Sequence, residues 1–255
     1  KRDFEKVIDI CNEALKVEPD SEAFYITRGY AYAELNELER AIEDYDRAIA
    51  LNPNYAEAYN NRGNVYADLN KYERAIEDYS EAIKLNPDDA VAYINRGNAY
   101  AELNKYERAL EDFSKAIELN PNYAEAYINR GNAYAELNEH ERAIEDYGKA
   151  IELNPNYAEA YINRGNAYAE LNEHERAIED YGKAIELNPN FAEAYNNRGA
   201  AYAELNEHER AIEDYGKAIE LNPALAEAYV NRGIAYSEIR RYEESARDLK
   251  KAGIL

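Results

Sequence analysis

Seven prolines divide this chain, at Pro19, Pro53, Pro87, Pro121, Pro155, Pro189 and Pro223, and there is no other. Arg-Gly pairs keep step with them, their glycines at Gly29, Gly63, Gly97, Gly131, Gly165, Gly199 and Gly233. Both series advance by 34 residues. A fixed period of this size specifies stacked supersecondary units, none of which can bury its apolar face alone. Residues 124–157 and 158–191 agree at 33 of 34 positions, so the array arose by recent duplication or by design.

Within 124–157, Tyr127, Gly131, Tyr134 and Leu137 form one stripe at helical spacing. Ala143, Tyr147, Ala150 and Ile151 form a second after a break at Leu-Asn-Glu. Asn122 with Glu125, and Asn138 with Glu141, have the spacing of a capping box, which predicts that these asparagines start the two helices. Each proline follows a second helix and stops it. The unit is a helical hairpin.

An arginine sits on the first stripe of every hairpin. Arg130 lies three residues after Tyr127 and four before Tyr134, so it faces the buried seam. An unpaired charge there would be costly. Asp146 occupies the seam of the second helix, between Ala143 and Ala150 in phase. Every copy supplies both: Arg28/Asp44, Arg62/Asp78, Arg96/Asp112, Arg130/Asp146, Arg164/Asp180, Arg198/Asp214 and Arg232/Asp248. The N-terminal segment lacks a first helix and has Ile10 at the aspartate position, so pairing is expected within one hairpin. The adjacent glycine is expected to let the second helix approach closely. Gly148, Gly182 and Gly216, mid-way along second helices, have no comparable explanation in the sequence.

This pattern resembles the tetratricopeptide repeat. Counted from Ala124 as position one, its large and small signature residues appear as Tyr127, Gly131, Tyr134, Ala143, Tyr147, Ala150 and Pro155. Two departures are the tyrosine in place of the usual tryptophan and the arginine in place of the usual leucine at position seven. Six complete copies run over 22–55, 56–89, 90–123, 124–157, 158–191 and 192–225. A short seventh covers 226–255, and residues 1–21 read as the second helix of an earlier copy. The resemblance implies an all-α, right-handed superhelical solenoid of fifteen helices, one continuous domain, with first helices lining a concave groove.

In the family, repeat positions two, six, nine and thirteen face that groove. Position six carries Asn61, Asn95, Asn129, Asn163, Asn197 and Asn231, and position nine carries Asn64, Asn98, Asn132 and Asn166. Position thirteen is always acidic and position two mostly Glu, and together they include Glu102, Glu125, Glu136, Glu159, Glu170 and Glu193. Asparagine is a mediocre helix former, so a ladder of it invites a functional reading. Its amide offers a donor and an acceptor to an extended main chain. The ladder resembles that of the O-GlcNAc transferase superhelix, whose groove asparagines hold peptide backbone. Relatives that clamp acidic chaperone tails use groove Lys and Arg, and those cations are missing here. The expected partner is an extended protein or peptide segment, basic or neutral.

Composition narrows the alternatives. Asp and Glu number 52 against 30 Lys and Arg, a formal charge of −22, which repels phosphate backbones and anionic lipid surfaces. Nucleic acid and membrane insertion are therefore not expected. Cys11 is the only cysteine and lies on an apolar stripe, so it reads as a small buried residue. His140, His174 and His208 stand a repeat apart, too far to share a metal, and read as half-exposed packing residues. With no Gly-rich phosphate loop and no catalytic arrangement, we expect no metal, no cofactor and no enzymatic activity. The chain starts at Lys1 and contains no methionine, which reads as a fragment; the cytoplasm is the default compartment. Two further readings are head-to-tail self-association through the ends, and a substrate-recruiting arm of an enzyme whose catalytic domain lies elsewhere.

Overall fold

In a computed structural model describing residues 2–253, fifteen α-helices and no strand occur among the described residues. Expectations that touch Lys1, Ile254 and Leu255 lie outside them. The helices group into two compact units, Lys1–Asn122 and Tyr123–Leu255. Unit 1 holds α1 (Arg2–Val17), then the hairpins α2 (Glu22–Glu34) with α3 (Leu38–Leu51), α4 (Ala56–Asp68) with α5 (Tyr72–Leu85), and α6 (Ala90–Glu102) with α7 (Tyr106–Leu119). Unit 2 holds α8 (Ala124–Glu136) with α9 (His140–Leu153), α10 (Ala158–Glu170) with α11 (His174–Leu187), α12 (Ala192–Glu204) with α13 (His208–Leu221), and α14 (Ala226–Glu238) with α15 (Tyr242–Lys251).

The turns correct the capping expectation. Asn138 starts no helix: it adopts the left-handed conformation, φ 59°, two residues past the end of α8. The Asn138 N–H donates to the Ala135 carbonyl (2.9 Å) and the Glu139 N–H to the Tyr134 carbonyl (2.8 Å). That pair of bonds is a Schellman closure, which asparagine tolerates better than most residues. Asn36, Asn70, Asn104, Asn172, Asn206 and Arg240 share the positive φ. Asn138 is thus committed to ending one helix and cannot take the extended backbone of an N-cap. Glu139 precedes α9 with no side-chain cap bond. Asn122 is not the cap of α8 either. Tyr123 is, and the Asn122 N–H donates to Asn120 Oδ1 (3.2 Å) in an Asx turn around Pro121. The same turn recurs at Asn52, Asn154, Asn188 and Asn222.

Helix pairing follows from residue size. A Cβ placed on Gly131 would lie 2.7 Å from Tyr147 Cε1, so the glycine is a socket for an aromatic ring. The ring is 2 % exposed. Gly29, Gly63, Gly165 and Gly199 seat Tyr45, Tyr79, Tyr181 and Tyr215 likewise, and Gly97 seats Phe113. Alanines such as Ala143 and Ala150 bring the backbones together around it and have no exposed surface. Each layer of core also borrows from neighbouring hairpins: Tyr168, Ala177 and Tyr181 of α10 and α11 pack with Ala201 of α12 and Ile144 of α9. A hairpin alone would leave this surface wet, at ~1.5–3 kcal/mol per large side chain. Cys11 is buried on α1, and burial pushes its thiol up from the ordinary value. Among the described residues, no helix is long and apolar enough to cross a membrane.

Candidate functional site

Seven arginines lie in the hairpin seams, and each is bound bidentately within its own hairpin. Arg164 Nε and Nη2 donate to Asp180 Oδ2 and Oδ1, both at 2.7 Å. The same fork joins Arg62 to Asp78, Arg96 to Asp112, Arg130 to Asp146 and Arg198 to Asp214 at 2.6–2.8 Å. Arg28/Asp44 and Arg232/Asp248 complete the series. The aspartates are buried; Asp180 is 5 % exposed. Hydrogen bonds to these carboxylates hold the arginines firmly charged. For Asp78 and Asp112, desolvation pushes the carboxyl up, and the paired arginine pulls it only part of the way back. These arginines are structural pins with their charge already matched.

The asparagine rows form a bonded ladder. Asn132 Oδ1 accepts from Tyr147 Oη (2.8 Å) in its own hairpin and from Asn163 Nδ2 (3.0 Å) in the next. Asn166 Oδ1 accepts likewise from Tyr181 (2.8 Å) and Asn197 (3.0 Å), and Asn64 from Tyr79 (2.8 Å) and Asn95 (3.1 Å). The carbonyls of Asn64, Asn132 and Asn166 are therefore spent on holding neighbours in register. Where position nine becomes Ala200, the next rung shifts: Asn231 donates to Asn196 Oδ1 (3.3 Å), and Asn196 donates on to Glu227 (3.3 Å). Asn98 and Asn129 are half-buried members of the same rows with hydrogen-bonding or electrostatic partners of their own. Asn61 is half-buried at the start of the row, where the preceding position nine is Tyr30.

In unit 2 the ladder floors three successive open pockets. The first is about 380 Å³, bounded by Asn132, Asn163, Asn166, Glu136, Glu159 and Glu170. The second, about 540 Å³, brings Asn166, Asn196 and Asn197 together with Glu170, Glu204 and Glu227. The third, about 330 Å³, holds Asn231 with Glu204, Glu238 and Ile234. A comparable pocket of about 290 Å³ in unit 1 gathers Asn64, Asn95, Asn98, Asp68 and Glu102. Glu125 and Glu193 are exposed outside these linings. The histidines are half-exposed, as expected of packing residues, but they also face the pockets. His140, His174 and His208 line the three unit 2 pockets, where unit 1 has Tyr72. Each buries Nδ1 without a partner. A buried N–H lacking an acceptor costs more than a bare lone pair, so the ring proton belongs on Nε2.

No group of three or more His, Cys, Asp or Glu among the described residues could hold a metal ion. The chemistry on offer is hydrogen bonding and negative charge.

A profile described as TPR repeat matches residues 29–69, 63–104, 97–138, 131–172 and 165–206 in overlapping tandem. Profiles described as tetratricopeptide repeat match 192–225 and 215–246. The chain belongs to the tetratricopeptide repeat family. Solved structures agree with that placement. YrrB, described as a TPR protein with an unusual peptide-binding site, is 29% identical over 73% of this chain and 96% of its own, with a TM-score of 0.63. MamA is 30% identical over 66% of this chain and 92% of its own, with a TM-score of 0.62. A tetratricopeptide repeat protein from Parabacteroides merdae is 24% identical, covers 91% of this chain and 92% of its own, and has a TM-score of 0.72, a likeness of fold. A search of curated protein sequences returns no match. Tetratricopeptide repeats form scaffolds for protein–protein interaction, and this chain has the all-α repeat architecture of that class.

Proposed function

We propose that the chain holds an extended segment of a partner protein, basic or neutral, against the Asn/Glu face of its first helices, without catalysis of its own. The observation that supports this reading most is the distribution of charge in copies four to six. Each of the nine Lys and Arg residues between 124 and 225 is ion-paired away from the pockets. Glu159, Glu170 and Glu204 line pockets and make no ion pair among the described residues. Such a wall attracts cations and repels acidic tails and phosphate chains. YrrB, with its peptide-binding site, is a precedent on the same fold.

The test is a titration with an extended basic peptide. Glu170→Lys is expected to abolish binding while leaving the helical circular dichroism unchanged, because Glu170 is exposed. Asn163→Ala and Asn197→Ala should weaken it. Affinity unaltered by all three changes overturns the reading.

Head-to-tail self-association is a second reading. It is supported by Ile10 (66 % exposed) and Val17 (81 %) on α1, and Tyr242 (63 %) on α15. Sedimentation over a wide concentration range decides it, and a constant monomer mass removes it.

A further inference from the structure

The three pockets of unit 2 recur at the repeat pitch, and that pitch restricts what can fill all of them at once. First helices of successive hairpins are joined by amide bridges, Asn163 to Asn132 and Asn197 to Asn166, each at 3.0 Å. Helices in such contact stand ~10 Å apart. A β-strand covers that distance in about three residues, yet its side chains alternate faces, so residues three apart point in opposite directions. Polyproline II has three residues per turn and a ~3.1 Å rise. Residues three apart then share a face and lie about 9.3 Å from each other, close to the spacing of the pockets.

We propose that unit 2 reads a polyproline II segment bearing a lysine or arginine at every third residue, one cation to a pocket. This rests on the groove reading above and names its ligand class. The pocket carboxylates Glu170 and Glu204 carry no internal counter-ion, and each lies at the border of two pockets. A cation in each pocket would therefore meet carboxylates on both sides. Polyproline II makes no internal hydrogen bonds, which leaves its carbonyls open to donors from the wall. The wall offers Nδ2 of Asn132 and Asn166, whose carbonyls are already committed, and the Nε2–H of His140 and His174. A chain preset by proline loses little conformational entropy on docking.

Three nine-residue peptides of identical composition, six prolines and three lysines with blocked ends, separate register from charge. Their lysines recur at every second, every third or every fourth position. Calorimetric titration into the full chain at low and physiological ionic strength is expected to favour the every-third peptide by on the order of tenfold, since matched spacing lets all three sites engage together. Glu170→Gln with Glu204→Gln should erase that preference. Equal affinity for the three isomers would overturn the register proposal while leaving a basic-peptide groove standing. Binding of an uncharged extended peptide but of none of these three would overturn the cation requirement. Failure of every extended peptide, charged or not, would remove the groove reading along with it.

Discussion

The two units use the same arginine at each hairpin junction, yet the three hairpins of unit 1 finish its hydrogen bonding differently from the last three of unit 2. In unit 1 the third nitrogen finds an acceptor on the preceding second helix or its equivalent: Arg28 Nη1 donates to Asn12 (2.6 Å), Arg62 Nη1 to Asp46 (2.5 Å), and Arg96 Nη1 to Ser80 (3.1 Å). For Arg164, Arg198 and Arg232 of unit 2 the residue at that place is Gly148, Gly182 or Gly216. A Cβ there would stand 3.5–3.9 Å from Nη1 of Arg164, Arg198 or Arg232, which is ordinary contact. One arginine per hairpin thus pins the hairpin throughout the chain. At Arg28, Arg62 and Arg96 it also ties that hairpin to the one before, a bond that glycine cannot offer to Arg164, Arg198 or Arg232. Glycine costs ~1 kcal/mol relative to alanine inside a helix, so these three positions give up helix stability as well as the tie.

The largest effects come from removing the pin. Arg164→Leu strands the buried Asp180 and should cost ~3 kcal/mol, with Asp180→Leu added recovering part of it. Arg62→Leu should cost about 0.5–1 kcal/mol more, because the bond to Asp46 goes too. Asp46 is half exposed and can rehydrate, which keeps the excess small. Repeat arrays unfold in parts, so the readout is native-state hydrogen exchange of amides in α4 and α5 against α10 and α11. Equal losses at the two arginines would show that the tie to Asp46 adds nothing.

The two glycine rows give opposite signs to one substitution. Gly165→Ala pushes a methyl group to 2.7 Å from the Tyr181 ring and should destabilise by about 1–2 kcal/mol after the helix-propensity gain. Gly182→Ala meets only open contact 3.9 Å from Arg198 and should stabilise by ~1 kcal/mol. Gly182→Ser copies the Ser80 arrangement. It should protect α12 and α13 from exchange at least as well as alanine does if the tie is worth a hydrogen bond. A serine less protective than alanine would mean that the bond merely replaces one to water.

Which parts of this could be read from residue order follows from how far apart the partners lie. Arg164 and Asp180 both fall in helical phase on stripes of one hairpin, so 3.6-residue periodicity brought them together. Asn138 was misassigned because asparagine serves both N-caps and left-handed closures, and only the three-residue gap between α8 and α9 decides. The glycines at 148, 182 and 216 stayed unexplained because their neighbour belongs to the next hairpin, a contact that periodicity within one unit does not report. The ladder was legible as a row of amides on one face. Its internal bonding was obscured because its tyrosine partner is not always present: Phe113 replaces it in copy three, and Tyr215 stands with Ala200 in copy six.

Those natural exceptions set up the smallest prediction. Tyr181→Phe removes one of the two donors to Asn166 Oδ1 and leaves the bond from Asn197 in place. The ring stays on Gly165, so packing is preserved and no cavity opens. Losing one neutral hydrogen bond from an acceptor that keeps another should cost about 0.5–1 kcal/mol. The freed lone pair faces a pocket that water can enter, which argues for the lower end. In unit 1, Phe113→Tyr performs the reverse experiment on the same scaffold position. If Tyr181→Phe loosens α10 and α11 alone, the ladder acts within hairpins; if protection falls in α12 as well, the carbonyl of Asn166 transmits order from one repeat to the next.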